Sequence, residues 1–129
     1  MSTNLKSTST VSLTGLKALV YGGPGSGKTV LTTTLPSPVI LSAEGGLLSI
    51  ADAGLPFLKI DGMETLREAY AWLSDSDEAK QFESVALDSI SEIAEVSLAT
   101  EKAVAKDPRA AYGEMQTTMS EVIRLFRDL

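Results

Sequence analysis

The sequence predicts an α/β fold in which a mainly parallel β-sheet is flanked by helices. Two patterns predict it. Short apolar runs of strand length alternate with longer segments in which apolar residues recur at helical spacing. The first of these runs leads through a glycine-rich loop into a helix, an order typical of layered α/β domains. With 129 residues, the chain is long enough for one such domain.

The composition excludes several kinds of chemistry. Hydrophobic residues make up 43% of the chain and charged residues 22%, which suits a globular domain with a core. The chain has no cysteine and no histidine, so disulfides, thiolate zinc sites and histidine-based catalysis are excluded within it. Any acid–base catalysis must therefore use carboxylates, lysine, tyrosine or bound water.

Charge and hydropathy bear on partners and location. The formal net charge is −6, which repels phosphate backbones and makes the chain a poor stand-alone binder of nucleic acid. No apolar stretch approaches 18 residues, so no membrane span is predicted. The N-terminus is rich in serine and threonine and is not a secretory signal. A cytoplasmic location is expected by default.

The first predicted elements surround the glycine-rich loop. Residues 1–14 are predicted to be a polar, flexible tail, and residues 15–129 to form the domain. Lys17–Tyr21 is predicted to be a buried strand that enters the loop. A helix is expected over Lys28–Thr34 and should stop at Leu35–Pro38, because proline cannot continue a helix.

Three further apolar runs are predicted to be strands: Val39–Leu41, Phe57–Ile60 and Ser84–Leu87. Helices should follow, each with a capping pattern at its start. The capping patterns are Asp61 with Glu64, Ser89 with Glu92, and Asp107 with Pro108 at the first helical position. This succession of strands and helices is what predicts the parallel sheet.

The glycine-rich loop matches the phosphate-binding pattern G-x-x-x-x-G-K-[ST], the P-loop, and lies between a predicted strand and a predicted helix. Glycines allow main-chain N–H groups to wrap a polyphosphate closely. Lys28 should reach the β- and γ-phosphates, and the Thr29 hydroxyl should ligate Mg²⁺. We therefore expect a nucleoside triphosphate with Mg²⁺. ATP is favoured as the cofactor because no N-K-x-D motif for reading guanine appears, and guanine specificity stays open. The predicted binding residues are Gly22, Gly23, Pro24, Gly25, Ser26, Gly27, Lys28 and Thr29.

Two acidic residues are candidates to complete the site. Asp88 ends an apolar strand, where P-loop proteins place a carboxylate that holds Mg²⁺ or one of its waters. Its alternative role is a plain cap for the next helix. Glu44 follows the second strand, and a carboxylate there can orient the water that attacks the γ-phosphate. The alternative for Glu44 is a solvated loop residue.

These pieces together resemble the RecA-like P-loop ATPases. The most similar group is the phage single-strand annealing or recombination type, also described as phage nucleotide-binding or AAA-family ATP-binding proteins. Four motifs carry the resemblance over about residues 16–129: GGPGSGKT, AEGGLLSI, LDSISEIAE and DPRAAYGEM. The P-loop is generic, and the other three motifs together are more specific.

The resemblance implies ATP hydrolysis that serves annealing or recombination of single-stranded DNA. It implies Lys28 and Glu44 as catalytic residues, Thr29 and Asp88 as Mg²⁺ ligands, homo-oligomers at full length, and the host-cell cytoplasm for a phage-encoded protein. Such cores continue with further strands and DNA-binding loops. We therefore expect a core truncated at its C-terminal end, with DNA contacts made through segments absent here.

Other functions stay open. A nucleotide-binding module without turnover would follow from an incomplete core that lacks part of its transition-state stabilisation. A small P-loop kinase needs a basic lid, and no arginine here sits in a clustered, glycine-hinged loop. Arg109 could act at a neighbouring subunit's phosphate, or form a salt bridge at its helix start.

Overall fold

A computed structural model describes residues 5, 7–10, 15–43 and 45–129. In that part of the chain, no helix is both long and apolar enough to cross a membrane. The α-helices are α1 (Lys28–Leu31), α2 (Met63–Asp75), α3 (Ile90–Val104) and α4 (Pro108–Arg127). The strands are β1 (Pro38–Ser42), β2 (Phe57–Lys59) and β3 (Ser84–Asp88). Short 3-10 helices span Thr8–Thr10, Thr32–Thr34, Gly46–Ala53 and Glu78–Gln81.

The three strands form one parallel sheet in the order β2-β1-β3. The central strand, β1, is buried along its whole length, as expected for a strand covered on both faces. Its last residue, Ser42, lies opposite Lys59 of β2 and Asp88 of β3. The carboxyl ends of all three strands therefore meet at one edge, and the predicted α/β fold is confirmed.

Lys17–Tyr21 is not a strand, so that prediction was wrong. The segment pairs with no strand in the described part of the chain, and Leu19 and Val20 are 74% and 52% exposed. An apolar run becomes a buried strand only when a neighbouring strand takes up its main-chain hydrogen bonds. Within the described residues, β3 pairs only with β1, and its first four residues are half-buried.

One hydrophobic cluster joins the sheet to the long helices. Leu41 of β1 and Ile93 of α3 are completely buried within it. Leu41 of β1 faces this cluster, and side chains alternate along a strand, so Ile40 and Ser42 face the opposite side. The buried members are Leu41, Ile60, Met63, Leu66, Ala69, Ile93, Met119 and Val122.

Two of the three predicted helix caps formed as expected. The Ser89 hydroxyl accepts a hydrogen bond from the main-chain N–H of Glu92, and the Asp107 carboxylate accepts one from that of Arg109. The start of α2 differs from the prediction of Asp61 with Glu64. Gly62 is the capping residue, and the Thr65 hydroxyl accepts hydrogen bonds from the N–H groups of both Asp61 and Gly62.

Candidate functional site

The glycine-rich loop turns tightly between residues 22 and 27. The main-chain N–H of Ser26 donates to the carbonyl of Gly23, which closes the turn. Gly25 and Gly27 adopt φ values of +76° and +93°, a left-handed region that favours glycine. The loop is exposed from Gly22 to Gly27. Helix α1 starts at Lys28 directly after it, so the predicted loop-to-helix context is present.

The side chain of Lys28 lies along the loop. Its ammonium group donates hydrogen bonds to the carbonyl oxygens of Gly22 and Gly23, at 2.5 and 3.0 Å. Lysine is a flexible, strongly hydrated cation, so its head group can exchange these carbonyl oxygens for phosphate oxygens. The structure therefore places this cation at the concave turn where the sequence predicts phosphate binding.

Thr29 and Asp88 meet at the carboxyl edge of the sheet. The Thr29 hydroxyl donates to the Oδ2 atom of Asp88 at 2.9 Å. Asp88 is only 7% exposed, and its main-chain carbonyl accepts a hydrogen bond from Ala43 at 2.9 Å. The carboxylate is thus fixed between the end of β1 and helix α1. Two residues that the sequence predicted to share a magnesium site are in direct contact.

The oxygen atoms of this pair suit Mg²⁺. Magnesium prefers hard oxygen ligands in octahedral geometry at about 2.0–2.1 Å, so two adjacent ligands lie about 3.0 Å apart. The 2.9 Å separation between the Thr29 and Asp88 oxygens fits that spacing. Among the described residues, no group of three or more Asp, Glu, His or Cys side chains forms a ready metal site. Phosphate oxygens and water could supply the remaining ligands.

Glu44 lies outside the described residues, so its predicted role is untested. Its neighbours Ala43 and Gly45 are described, and the N–H of Ala43 is bonded to the Asp88 carbonyl. Ala43 therefore lies at the same edge of the sheet as Asp88. Of the five helix acids expected to be solvated, four are exposed (Glu92, Glu95, Glu114 and Glu121), whereas Glu101 is half-buried.

Arg109 is remote from Asp88 within this chain. Helix α3 begins immediately after this edge, and its 15 residues extend about 22 Å before the turn into α4. Arg109 is exposed at the start of α4, and no ion pair joins it to another described residue. Among the described residues, the salt bridge that was one alternative for Arg109 is therefore not formed.

A groove between α2 and α4 is separate from the glycine-rich loop. Its volume is about 120 Å³, and no residue of the loop lines it. Tyr70 and Phe126 meet there edge to face, with ring centroids 5.4 Å apart. The groove is thus a feature of helix packing.

One residue beside the Thr29–Asp88 pair was not predicted from the sequence. Thr32 is only 8% exposed, and its hydroxyl donates to the carbonyl of Thr29 at 2.6 Å. The run of three threonines at 32–34 was a usable signal, because threonine hydroxyls often bond to a carbonyl one turn earlier.

Comparison with protein families matches residues 14–129 to the model of a family described as AAA domain. The chain belongs to this AAA-domain family. Membership supports nucleotide binding, and ATPase activity as the general activity of such domains. Comparisons with curated proteins and with solved structures gave no match.

Proposed function

We propose that this AAA-domain protein binds ATP with Mg²⁺ and hydrolyses it. The observation that carries the proposal is the 2.9 Å contact between Thr29 and Asp88 beside the glycine-rich loop. It brings a hydroxyl and a carboxylate, 59 positions apart in sequence, to the loop that would hold the phosphates. A bound Mg²⁺ supplies positive charge that offsets the charge developing on the transferred phosphoryl group.

The residues divide into three roles in this proposal. The main-chain N–H groups between Gly22 and Thr29 bind the phosphates, except at Pro24, which has no N–H, and Lys28 contacts the β- and γ-phosphates. Thr29 and Asp88 hold Mg²⁺, with Asp88 acting directly or through a bound water. Glu44 accepts a hydrogen bond from the attacking water and orients it toward the γ-phosphate. Catalysis of this kind depends mainly on positioning and electrostatic stabilisation.

We further propose that hydrolysis serves annealing or recombination of single-stranded DNA, in a homo-oligomer. The support is the resemblance of three motifs, AEGGLLSI, LDSISEIAE and DPRAAYGEM, to RecA-like phage proteins. The net charge of −6 disfavours tight DNA binding by this chain alone. Direct binding of DNA by this chain alone is therefore expected to be weak.

Nucleotide binding without turnover is a second candidate, and one observation favours it. The segment before the loop, Lys17–Tyr21, has no strand pairing in the described part of the chain. The loop is then anchored by α1 and by the Thr29–Asp88 contact, not by a strand of the sheet. Weaker anchoring would reduce the preorganisation that hydrolysis needs more than binding does.

The deciding experiment measures ATP hydrolysis with Mg²⁺, with and without single-stranded DNA, alongside binding of a fluorescent ATP analogue. DNA-stimulated turnover supports the proposed ATPase and its DNA role. Turnover that is unchanged by DNA supports the ATPase and argues against direct action of DNA on this chain alone. Binding without turnover selects the non-hydrolysing module. A chain that neither binds nor hydrolyses ATP overturns the proposal.

A further inference from the structure

Three consecutive threonines follow helix α1 and make the same local hydrogen bond. The hydroxyls of Thr32, Thr33 and Thr34 each donate to the carbonyl three residues earlier, at 2.6, 2.7 and 2.7 Å. They differ in their surroundings. Thr32 is 8% exposed, whereas Thr33 and Thr34 are exposed. The chain thus offers one buried and two solvated examples of a single interaction.

Only the bond from Thr32 ends at the candidate magnesium pair. Its acceptor is the carbonyl of Thr29, which also receives the main-chain N–H of Thr32. The Thr29 hydroxyl in turn donates to Asp88. Two successive hydrogen bonds therefore connect the Thr32 side chain, through one residue, to the Asp88 carboxylate.

The turn that contains Thr32 is itself fixed against the sheet. The 3-10 helix Thr32–Thr34 packs on strand β1, whose Ser42 is paired with Asp88. Thr32 is only 8% exposed, so its hydroxyl is sheltered from water, and a hydrogen bond sheltered from water is stronger. The main chain of Thr29 is therefore held in position relative to the sheet that contains Asp88.

We propose that Thr32 is a positioning residue, whose buried hydroxyl holds Thr29 so that the Thr29 hydroxyl and the Asp88 carboxylate form one Mg²⁺ site. This inference rests on the proposed function, because it concerns the Mg²⁺ that accompanies ATP. The competing explanation is that Thr32 merely satisfies its own hydroxyl in a buried turn. In that case its loss lowers stability and leaves the Mg²⁺ dependence of ATP binding unchanged.

The test compares ATP affinity with Mg²⁺ and with EDTA, using a fluorescent ATP analogue. The ratio of the two Kd values reports how much Mg²⁺ strengthens binding. Thr32→Val removes the hydroxyl at nearly constant volume, and Thr32→Ser keeps the hydroxyl. Thr33→Val is the matched control, because it deletes the same bond at an exposed position. Thermal melting of each variant accompanies the binding data.

Thr32→Val is expected to lower the Mg²⁺ ratio about fivefold, the size of one lost hydrogen bond, with the Kd in EDTA unchanged. Thr32→Ser and Thr33→Val should keep the wild-type ratio. An unchanged ratio in Thr32→Val overturns the inference, as does an equal weakening with Mg²⁺ and with EDTA. Should Thr32→Val fail to fold, Thr32→Ala against Thr32→Ser makes the same comparison.

The wild-type protein separates this inference from the proposed function. A wild-type chain that binds ATP equally well with Mg²⁺ and with EDTA removes the magnesium site, and the inference with it. If Mg²⁺ strengthens ATP binding equally in the wild-type chain and in Thr32→Val, only the positioning role of Thr32 is refuted.

Discussion

The hydroxyl of Thr29 and the carboxylate of Asp88 are joined by a 2.9 Å hydrogen bond at the carboxyl edge of a parallel sheet. Thr29 belongs to the first turn after the glycine-rich loop, and Asp88 is the last residue of β3. Ligands bind at this edge in open α/β sheets, because loops after the strands surround it. The contact therefore identifies the position of the candidate site from the protein's own residues, independently of any bound ligand.

Asp88→Asn tests the charge of this pair while keeping its shape. The asparagine oxygen can still accept the Thr29 hydroxyl, so the melting temperature should change little. Loss of the negative charge should remove most of the gain in ATP affinity that Mg²⁺ provides, and lower turnover at least tenfold. Asp77→Asn, at an exposed residue paired with Lys80, is the control and should behave as wild type. A full Mg²⁺ effect in Asp88→Asn would show that the charge of Asp88 does not contribute to Mg²⁺ binding.

Lys28→Ala removes the cation that lies on the loop. Hydrogen bonds to charged groups contribute about 1.5–3 kcal/mol, so ATP affinity should fall roughly 10- to 100-fold. Fluorescent-ATP titration measures this loss, and turnover should fall with it. Lys80→Ala removes an exposed lysine whose partner is Asp77 and should leave binding unchanged. Wild-type affinity and rate in Lys28→Ala would refute phosphate binding at this loop.

Glu44→Gln separates binding from chemistry. The neutral amide cannot accept a proton from water, so kcat should fall on the order of 100-fold while the Kd for ATP stays the same. Steady-state hydrolysis and equilibrium binding together measure the two effects. Glu114→Gln, at an exposed position on α4, is the matched control. Equal hydrolysis rates for Glu44→Gln and Glu114→Gln would indicate that Glu44 is a solvated loop residue with no catalytic role.

Much of the fold was predictable because its signals are local. The runs that became β1, β2 and β3 are short, apolar and bounded by turn residues, and the caps at Ser89 and Asp107 follow from side-chain chemistry. The meeting of Thr29 with Asp88 was also predictable. Each follows an element whose end was visible in the sequence, and a parallel sheet brings such ends together.

The wrong predictions concern segments whose structure depends on a distant part of the chain or on a competing side chain. Lys17–Tyr21 has the apolar pattern of a strand, but the pattern cannot say whether a neighbouring strand is available to pair with it. At α2, the Thr65 hydroxyl took the capping position expected for the carboxylate of Glu64. The 3-10 helix Gly46–Ala53 was missed because a glycine-rich start predicts a loop. The burial of Thr32 depends on tertiary packing alone.

Alanine substitutions at two glycines are expected to change the stability of the protein in opposite directions. Gly27 has φ of +93°, where a side chain is strained, so Gly27→Ala should destabilise the protein by about 1–2 kcal/mol. Gly113 lies inside α4 with no atom near an added Cβ, so Gly113→Ala should stabilise it by about 0.5–1 kcal/mol.

Urea unfolding measures both free energies, and ATP titration adds a second readout. Gly27 precedes Lys28 in the loop, so Gly27→Ala should also weaken ATP binding, whereas Gly113→Ala should not. Since both substitutions add the same methyl group, a difference between them reports backbone conformation and not side-chain chemistry. Equal stability changes in the two variants would mean that the left-handed turn at Gly27 is not a fixed feature of the folded loop.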